Sequence, residues 1–168
     1  MAIIMEIRKF SSIKLDDPFF DSLKNDYPGF EEWFNSKKKA GKVAFVQYDD
    51  EGKLQGFLFL KDETAEVDEQ ITPLMEPKKR IKVGTFKIEA HNTRLGEKFI
   101  KKIMDCAIYG GFDESYVTIY PKHEGLIRLL EKYGFENYGK KGHSSRCMGN
   151  AVRALCRRAF CTGNAFRR

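Results

Sequence analysis

The stretch from residue 80 to residue 120 limits the possible folds more than any other part of the sequence. Within residues 80–89 the apolar alternation begins on Ile81 and resumes, beyond Gly84, on Phe86, so that its phase slips by one residue. A one-residue slip beside a glycine is typical of a β-bulge, which kinks a strand and is common next to active sites. The segment therefore predicts a bulged strand.

A helix and a second strand follow the bulged strand. Apolar residues recur with helical period from Leu95 to Tyr109, and two glycines at residues 110–111 end the pattern. Residues 116–120 alternate β-branched and aromatic side chains, as strands do. Because a strand, a helix and a strand in succession form a right-handed crossover, the two strands are expected to lie parallel.

A hairpin of residues 42–48 and 54–61 adds an antiparallel pair of strands to this parallel pair. The fold class is therefore mixed α+β (α/β at its centre), a mostly antiparallel sheet with a central parallel pair joined by a crossover helix. We expect a loop with room for one short strand at residues 62–79. The other expected elements are a strand at 5–10, helical segments from 18 and at 30–40, a hairpin of 42–48 and 54–61, a helix at 123–133 and a strand at 135–139.

The positive charge of the chain is confined to its end. The net charge is +6, and residues 142–168 carry six arginines and no acid, so that 6 − 6 leaves residues 1–141 formally neutral. We therefore divide the chain into a domain of residues 1–141 and a basic, cysteine-containing tail of residues 142–168. A neutral domain gives no electrostatic reason to bind nucleic acid, which would act through the tail alone.

The tail allows three interpretations. Residues 151–160 would place apolar side chains on one face of a basic amphipathic helix. The favoured interpretation is an appended or out-of-frame segment that is disordered or loosely packed. The third is the final strand of the fold, which no alternation supports. Metal ligands could come from His143, Cys147, Cys156 and Cys161, but their spacing fits no zinc motif, and no metal site is predicted.

The compartment follows from what the sequence lacks. No apolar run reaches the length of a membrane span, and the first residues have neither the basic nor the long apolar region of a secretion signal. We therefore expect a cytoplasmic protein without a membrane partner, in which a disulfide framework is unexpected. The oligomeric state is left open between monomer and homodimer.

The order of elements from residue 80 to residue 139 carries a resemblance to a known family. A bulged strand, a short loop, a helix, a parallel strand, a second helix and Tyr133-Gly134-Phe135 resemble the core of the GNAT superfamily of N-acetyltransferases. The resemblance implies an acyl-CoA N-acyltransferase fold and an enzyme that transfers acetyl from acetyl-CoA, its co-substrate, to a primary amine by direct attack on the thioester.

The family resemblance also implies a set of residues that bind acetyl-CoA. In that family the loop opening the crossover helix reads Gln/Arg-x-x-Gly-x-Gly/Ala, and its backbone N–H groups hold the pyrophosphate at the start of the helix. Of the six matching positions here, only Gly96 fits the motif, and Arg94 offers a charged contact to phosphate instead. The implied set is Phe86, Lys87, Ile88, His91, Asn92, Thr93, Arg94, Leu95, Gly96 and Glu97.

Catalytic roles follow from the same resemblance. The N–H of Ile88 would polarise the thioester carbonyl, and Glu89 at the end of the strand would accept the proton of the amine. Glu63 is a second candidate base, and a solvated surface glutamate is the alternative for both carboxylates.

The general acid expected of the family is missing. The family tyrosine on the last helix falls at Leu130, so Tyr120, His123 or Tyr133 would have to replace it, or water would protonate the thiolate. This gap leaves open a non-catalytic acyl-CoA-binding or regulatory module of the same fold, and the tail leaves open a nucleic-acid-associated protein. An aromatic cluster at residues 30–34 is a wall of the acceptor site or, as we favour, part of the core.

Overall fold

The computed structural model describes residues 4–89, 93–142 and 152–158. Its strands are β1 (Glu6–Lys9), β2 (Val43–Tyr48), β3 (Leu54–Asp62), β4 (Ile71–Thr72), β5 (Arg80–Ile88), β6 (Glu114–Ile119), β7 (Glu136–Lys141) and β8 (Val152–Arg158). Its α-helices are α1 (Asp21–Asp26), α2 (Phe30–Lys39), α3 (Thr93–Tyr109) and α4 (Glu124–Lys132), and two 3-10 turns cover Phe10–Ser12 and Pro18–Phe20.

The strands form one mixed sheet in the order β1-β2-β3-β5-β6-β8-β7-β4. β5 and β6 run parallel and are joined by α3, whereas β1/β2, β2/β3, β6/β8, β7/β8 and β4/β7 run antiparallel. The predicted fold class is therefore confirmed. The short strand in the loop of residues 62–79 is β4.

Two compact units divide the chain. One comprises Met1–Phe59 with Thr85–Leu95, and the other comprises Leu60–Gly84 with Gly96–Arg168. β3 and β5 each contribute part of their length to both units, so the chain passes between them inside these two strands.

Aromatic rings fill the core of the first unit. Phe10 lies at the centre of this cluster and meets Phe34 at a centroid distance of 4.8 Å and Phe57 at 5.7 Å. Phe30 and Phe34 are buried on the inner face of α2, and Trp33 packs against the same cluster. The aromatic side chains of residues 30–34 therefore belong to the core of this unit, as the favoured interpretation predicted.

A buried ion pair lies at the start of the parallel pair in the second unit. Arg80 and Glu114 are register partners and are 2% and 5% exposed. The Arg80 Nε donates to Glu114 Oε1 at 2.6 Å, and its Nη2 donates to the carbonyl of Glu76 at 2.7 Å. Because a buried charge is tolerated only when it is paired and hydrogen-bonded, this pair fixes which residues of β5 and β6 face each other.

One segment of the tail completes the sheet. β8 lies between β6 and β7, with Leu155 opposite Val117 on one side and opposite Asn137 on the other. The helix interpretation is wrong for Val152–Arg158, because this segment pairs with a strand on either side and its Leu155 is completely buried. The third interpretation, a final strand, describes Val152–Arg158, and the division of the chain at residue 141 stays a prediction.

The side chains of β8 explain why its pattern was not recognised as a strand. Arg157 is 7% exposed, and its Nε donates to the carbonyl of Tyr133 at 2.8 Å. Cys156 donates to Glu114 at 3.3 Å, and burial followed by this carboxylate raises the pKa of its thiol to about 12. Cys156 is a free cysteine, whereas His143, Cys147 and Cys161 lie outside the described residues.

We predict that Glu114→Gln lowers the free energy of unfolding by roughly 3 kcal/mol, because it leaves the Arg80 guanidinium buried without its counter-ion. Urea unfolding monitored by circular dichroism measures the change. Arg128→Gln is the matched control, since the Arg128–Glu124 pair is exposed at 79% and 74%. Its removal is expected to change stability by less than about 0.5 kcal/mol. Equal effects of the two substitutions would contradict the role assigned to the buried pair.

Candidate functional site

The hydrogen bonds at the two ends of the β3/β5 pair differ in register by one residue. Glu63 N–H donates to the Arg80 carbonyl at 2.9 Å, and Glu89 N–H donates to the Gln55 carbonyl at 2.8 Å. From residue 80 to residue 89 is 89 − 80 = 9 steps along β5, whereas 63 − 55 = 8 steps lie opposite on β3. β5 therefore holds one extra residue, which agrees with the slip predicted beside Gly84.

The backbone of β5 at Ile88 is directed away from β3. Glu89 uses its N–H on β3, and successive residues of a strand turn their backbone polar groups to opposite sides. The N–H and C=O of Ile88 consequently point toward the other edge of β5. The described register with β6 on that edge runs from Arg80 to Val83. Ile88 and Phe86 lie beyond it and are half-buried.

Glu89 is exposed at the end of β5, and its carboxylate has a cationic neighbour. Its side chain is 46% exposed, and its Oε1 lies 3.0 Å from the Nζ of Lys87. The same Nζ donates to the carbonyl of Phe19 and lies 4.6 Å from the centroid of the Phe19 ring. Lys87 thus ties the end of β5 to the turn Pro18–Phe20, and Glu89 is oriented through that lysine.

The first turns of α3 are described from residue 93 onward. Leu95 and Gly96 are buried, whereas Arg94 is exposed. Glu97 accepts from the Nζ of Lys132 at 3.0 Å. Loss of hydration and then a hydrogen bond to Glu97 raise the pKa of the Tyr133 hydroxyl, which places that hydroxyl beside the start of α3. The predicted residues His91 and Asn92, and the side chain of Thr93, lie outside the described part of the chain.

The residues considered for the general acid lie at the two ends of α4. His123 precedes the helix, where its carbonyl accepts from the N–H of Ile127 at 3.0 Å and its N–H donates to the carbonyl of Tyr120 at 3.1 Å. The side chains of His123 and Tyr120 are half-buried. Leu130 is completely buried, so the position of the family tyrosine belongs to the core here.

Glu63 is a buried carboxylate and not the surface charge that its sequence context suggested. It is 6% exposed and accepts a hydrogen bond from the Tyr116 hydroxyl. The Nζ atoms of Lys61 and Lys82 lie 3.2 Å and 3.8 Å from its Oε1. These partners replace the water that a buried carboxylate loses. Burial and then Glu63 raise the pKa of Tyr116, and burial lowers the pKa of Lys82.

An open cavity of about 470 Å³ lies beside Glu63. Carboxylates dominate its wall, and Lys61 and Lys141 supply its cations. Among the residues predicted for the site, Glu63 alone lines it. Lys82 and Tyr116 were missed from the sequence, although the register pairs them, because their pairing depends on the alignment of strands that are separated by a whole helix.

Two further observations limit the chemistry of the described residues. None of the helices in those parts of the chain has the length and apolar content needed to cross a membrane. In the same residues, no three histidine, cysteine or acidic side chains are grouped so that they could hold a metal ion.

Comparison with solved structures relates this architecture to known proteins. An N-acetyltransferase from Staphylococcus aureus Mu50 superposes with a TM-score of 0.67 at 12% identity, covering 95% of this chain and 100% of that one. An IAA acetyltransferase from Bacillus cereus ATCC 14579 gives 0.63 at 12% identity, with 94% and 99% covered. A mutant of the spermidine N-acetyltransferase of Vibrio cholerae gives 0.58 at 15% identity, with 92% and 94% covered.

These structures define the fold. No protein-family model and no curated protein sequence matches the chain. Several acetyltransferases superpose over nearly the whole of it, and the sheet order and the parallel pair agree with the fold expected from the sequence. The chain therefore has the GNAT fold.

We predict that Tyr116→Phe lowers the free energy of unfolding by about 1 to 3 kcal/mol, because it removes a donor from a buried carboxylate. Thermal unfolding followed by calorimetry measures the loss. Tyr138→Phe is the control, since the Tyr138 hydroxyl donates to the carbonyl of Leu74 in an exposed position. That change is expected to cost no more than about 0.5 kcal/mol. A neutral effect of Tyr116→Phe would show that the lysines alone satisfy Glu63.

Proposed function

We propose that the protein is an acetyl-CoA-dependent N-acetyltransferase that acetylates a primary amine. The observation that supports this most directly is the backbone of Ile88, whose N–H and C=O face away from β3 at a point beyond the described register with β6. An extended ligand with amide groups can pair with such an edge as an added strand does, and the pantetheine arm of acetyl-CoA has that character.

Each part of the proposed site has one task. The proposed pyrophosphate-binding residues are His91 to Gly96, which bind it with backbone N–H groups, and Arg94 adds a positive charge. Phe86 and Ile88 position the pantetheine arm, and the N–H of Ile88 stabilises the negative charge that develops on the thioester oxygen. Glu89 removes a proton from the acceptor ammonium, directly or through water, so that a neutral amine attacks.

Leu130 stands where the family has the tyrosine that protonates the leaving thiolate, so another group must supply that proton. Tyr133 is one alternative, and its hydroxyl lies against Glu97 in the first turns of α3. A phenol is protonated at neutral pH at its ordinary pKa, as a proton donor requires, and the raised pKa of Tyr133 makes it a weaker acid. Tyr120 and His123 are the other donors that the sequence offers, and water is the fourth.

The relatives in the comparison do not carry their acceptors over to this chain. The Vibrio cholerae enzyme acts on spermidine by its name, and it is similar to this chain at 15% identity. Acceptor pockets are formed by side chains and not by the fold, so the proposal is limited to a primary amine as a chemical class.

We predict that acetyl-CoA raises the melting temperature of the full chain. A ligand at about 100 times its Kd stabilises by about 2.7 kcal/mol, which corresponds to roughly 5 to 10 °C for a chain of this size. ATP and NAD at the same concentration serve as controls for non-specific phosphate binding. If millimolar acetyl-CoA produces no shift, the proposed pyrophosphate site is wrong, and only the fold is shared with the acetyltransferases.

We predict that Glu89→Gln lowers kcat for an accepted amine by about 10²-fold or more while the stabilisation by acetyl-CoA is retained, because it removes the base and not the cofactor site. Steady-state assays on a panel of primary amines measure the change. Glu51→Gln is the matched control, since it makes the same substitution in an ion pair with Lys53 that is exposed at 73% and 71% and lies outside the proposed site. An equal loss in both variants would show that the effect is not specific to Glu89.

A non-catalytic acyl-CoA-binding module is the second candidate. The complete burial of Leu130 at the tyrosine position favours it. The two proposals separate in the same experiments: a thermal shift with acetyl-CoA but no transfer to any amine in the panel would support the module. Arg157 gives the nucleic-acid alternative no support, because its guanidinium is buried and donates to a backbone carbonyl within the second unit.

A further inference from the structure

We infer that the outer edge of β1 is a self-complementary dimerisation site, at which β1 pairs antiparallel with β1 of a second copy of this chain. β1 is the end strand of the sheet that the described residues form, and all four of its residues are exposed. A free strand edge presents unpaired N–H and C=O groups that another strand can satisfy. This inference uses residues far from the proposed catalytic groups in sequence and does not depend on the proposed function.

The hydrogen bonds of β1 show which of its backbone groups face outward. The register of β1 with β2 ends at Lys9 opposite Val43, and one residue further along Phe10 N–H donates to the carbonyl of Lys42 at 3.0 Å. Phe10 and Lys42 therefore continue the ladder as a hydrogen-bonded pair. In an antiparallel ladder such pairs alternate with non-hydrogen-bonded ones, so Glu6 and Arg8 also direct their backbone groups to β2. The N–H and C=O of Ile7, and those of its second neighbours along the strand, therefore face the free edge.

The side chains of β1 select one register for the pairing. With a two-fold axis through Ile7, the two copies of Ile7 are opposite each other and form a hydrogen-bonded pair through their outward groups. Glu6 of each copy then lies opposite Arg8 of the other, and Lys9 lies opposite Met5. An axis through Glu6 or Arg8 would instead place like charges directly opposite, which is unfavourable. Charge complementarity thus identifies the occupant of this edge as a second copy of the same strand.

Apolar exposure on the other face of the strand supports the same arrangement. Ile7 is 65% exposed and Val43 on β2 is 47% exposed. Both side chains lie on the face of the sheet opposite the aromatic core, because Ala44 and Val46 point into that core from the alternate positions of β2. Two copies of Ile7 would cover each other across the axis, and removal of this apolar surface from water favours association.

The dimer is expected to be weak. A pairing made mainly by one short strand buries less than the roughly 1,200 Å² that stable complexes reach, so we expect a reversible equilibrium in the micromolar to millimolar range. Glu6 and Arg8 already form an ion pair within one chain at 2.8 Å, and this pair rearranges across the axis on association. The association should consequently weaken as the salt concentration rises.

We predict that Glu6→Arg and Arg8→Glu each weaken self-association by about tenfold or more, because each variant replaces the opposed ion pairs with like charges across the axis. Sedimentation velocity of the full chain, from about 10 μM to about 1 mM, measures the equilibrium. A mixture of the two variants restores association, since arginine residues at 6 and 8 in one chain then meet glutamates at both positions in the other. The double variant restores it as well.

Glu124→Arg and Arg128→Glu at the exposed Glu124–Arg128 pair are the matched controls, because they make the same changes in net charge as Glu6→Arg and Arg8→Glu, and each should leave the equilibrium unchanged. Circular dichroism of each variant confirms that the fold is retained. The inference is overturned if the wild-type chain is monomeric at all concentrations, if the single variants associate as the wild type does, or if the mixture of variants stays monomeric. Rescue in the mixture cannot arise from damage to the fold.

Discussion

The buried pair of Arg80 and Glu114 determines how the two central strands meet. A parallel pair has no tight turn to set its register, since its strands are joined through a whole helix. In this chain the register is set at the first position of both strands, where a guanidinium and a carboxylate satisfy each other out of contact with water. A slip by one residue would separate these charges in the interior, at a cost of several kcal/mol. Arg80 is therefore the fixed position from which the later residues of β5, up to Ile88, take their places along the strand.

The direction of the Ile88 N–H, the proposed oxyanion donor, depends on the number of residues between Arg80 and the end of β5. Between Arg80 and Glu89 the strand holds one residue more than β3 does on the opposite side. Without the extra residue, the backbone groups of Ile88 would turn toward β3 and be consumed by the ladder. The bulge and the buried ion pair therefore act together: one fixes where the strand starts, and the other decides which residue offers its N–H to a ligand.

The elements of the domain were predictable because their patterns are local. The slip at Gly84, the helical period through α3 and the hairpin of β2 and β3 can all be identified within a few residues of sequence. Glu63 and β8 could not be identified in the same way, since their stabilising partners lie far along the chain. The buried carboxylate of Glu63 accepts a hydrogen bond from Tyr116 and pairs with the charge of Lys82. The buried Arg157 donates to the backbone carbonyl of Tyr133, which precedes β7. A charged residue whose partner is distant in sequence has the pattern of a surface residue.

The place of β8 in the sheet has a consequence for how the protein is made. This strand is the last described element of the chain, yet it lies between β6 and β7, which were synthesised before it. Before it is added, β6 and β7 lack the strand that pairs with both of them, and Cys156 and Leu155 are not yet there to fill the place between them. The sheet therefore closes by insertion and not by growth at an edge, so that a ribosome paused before residue 152 would carry an incomplete domain exposed to chaperones and proteases.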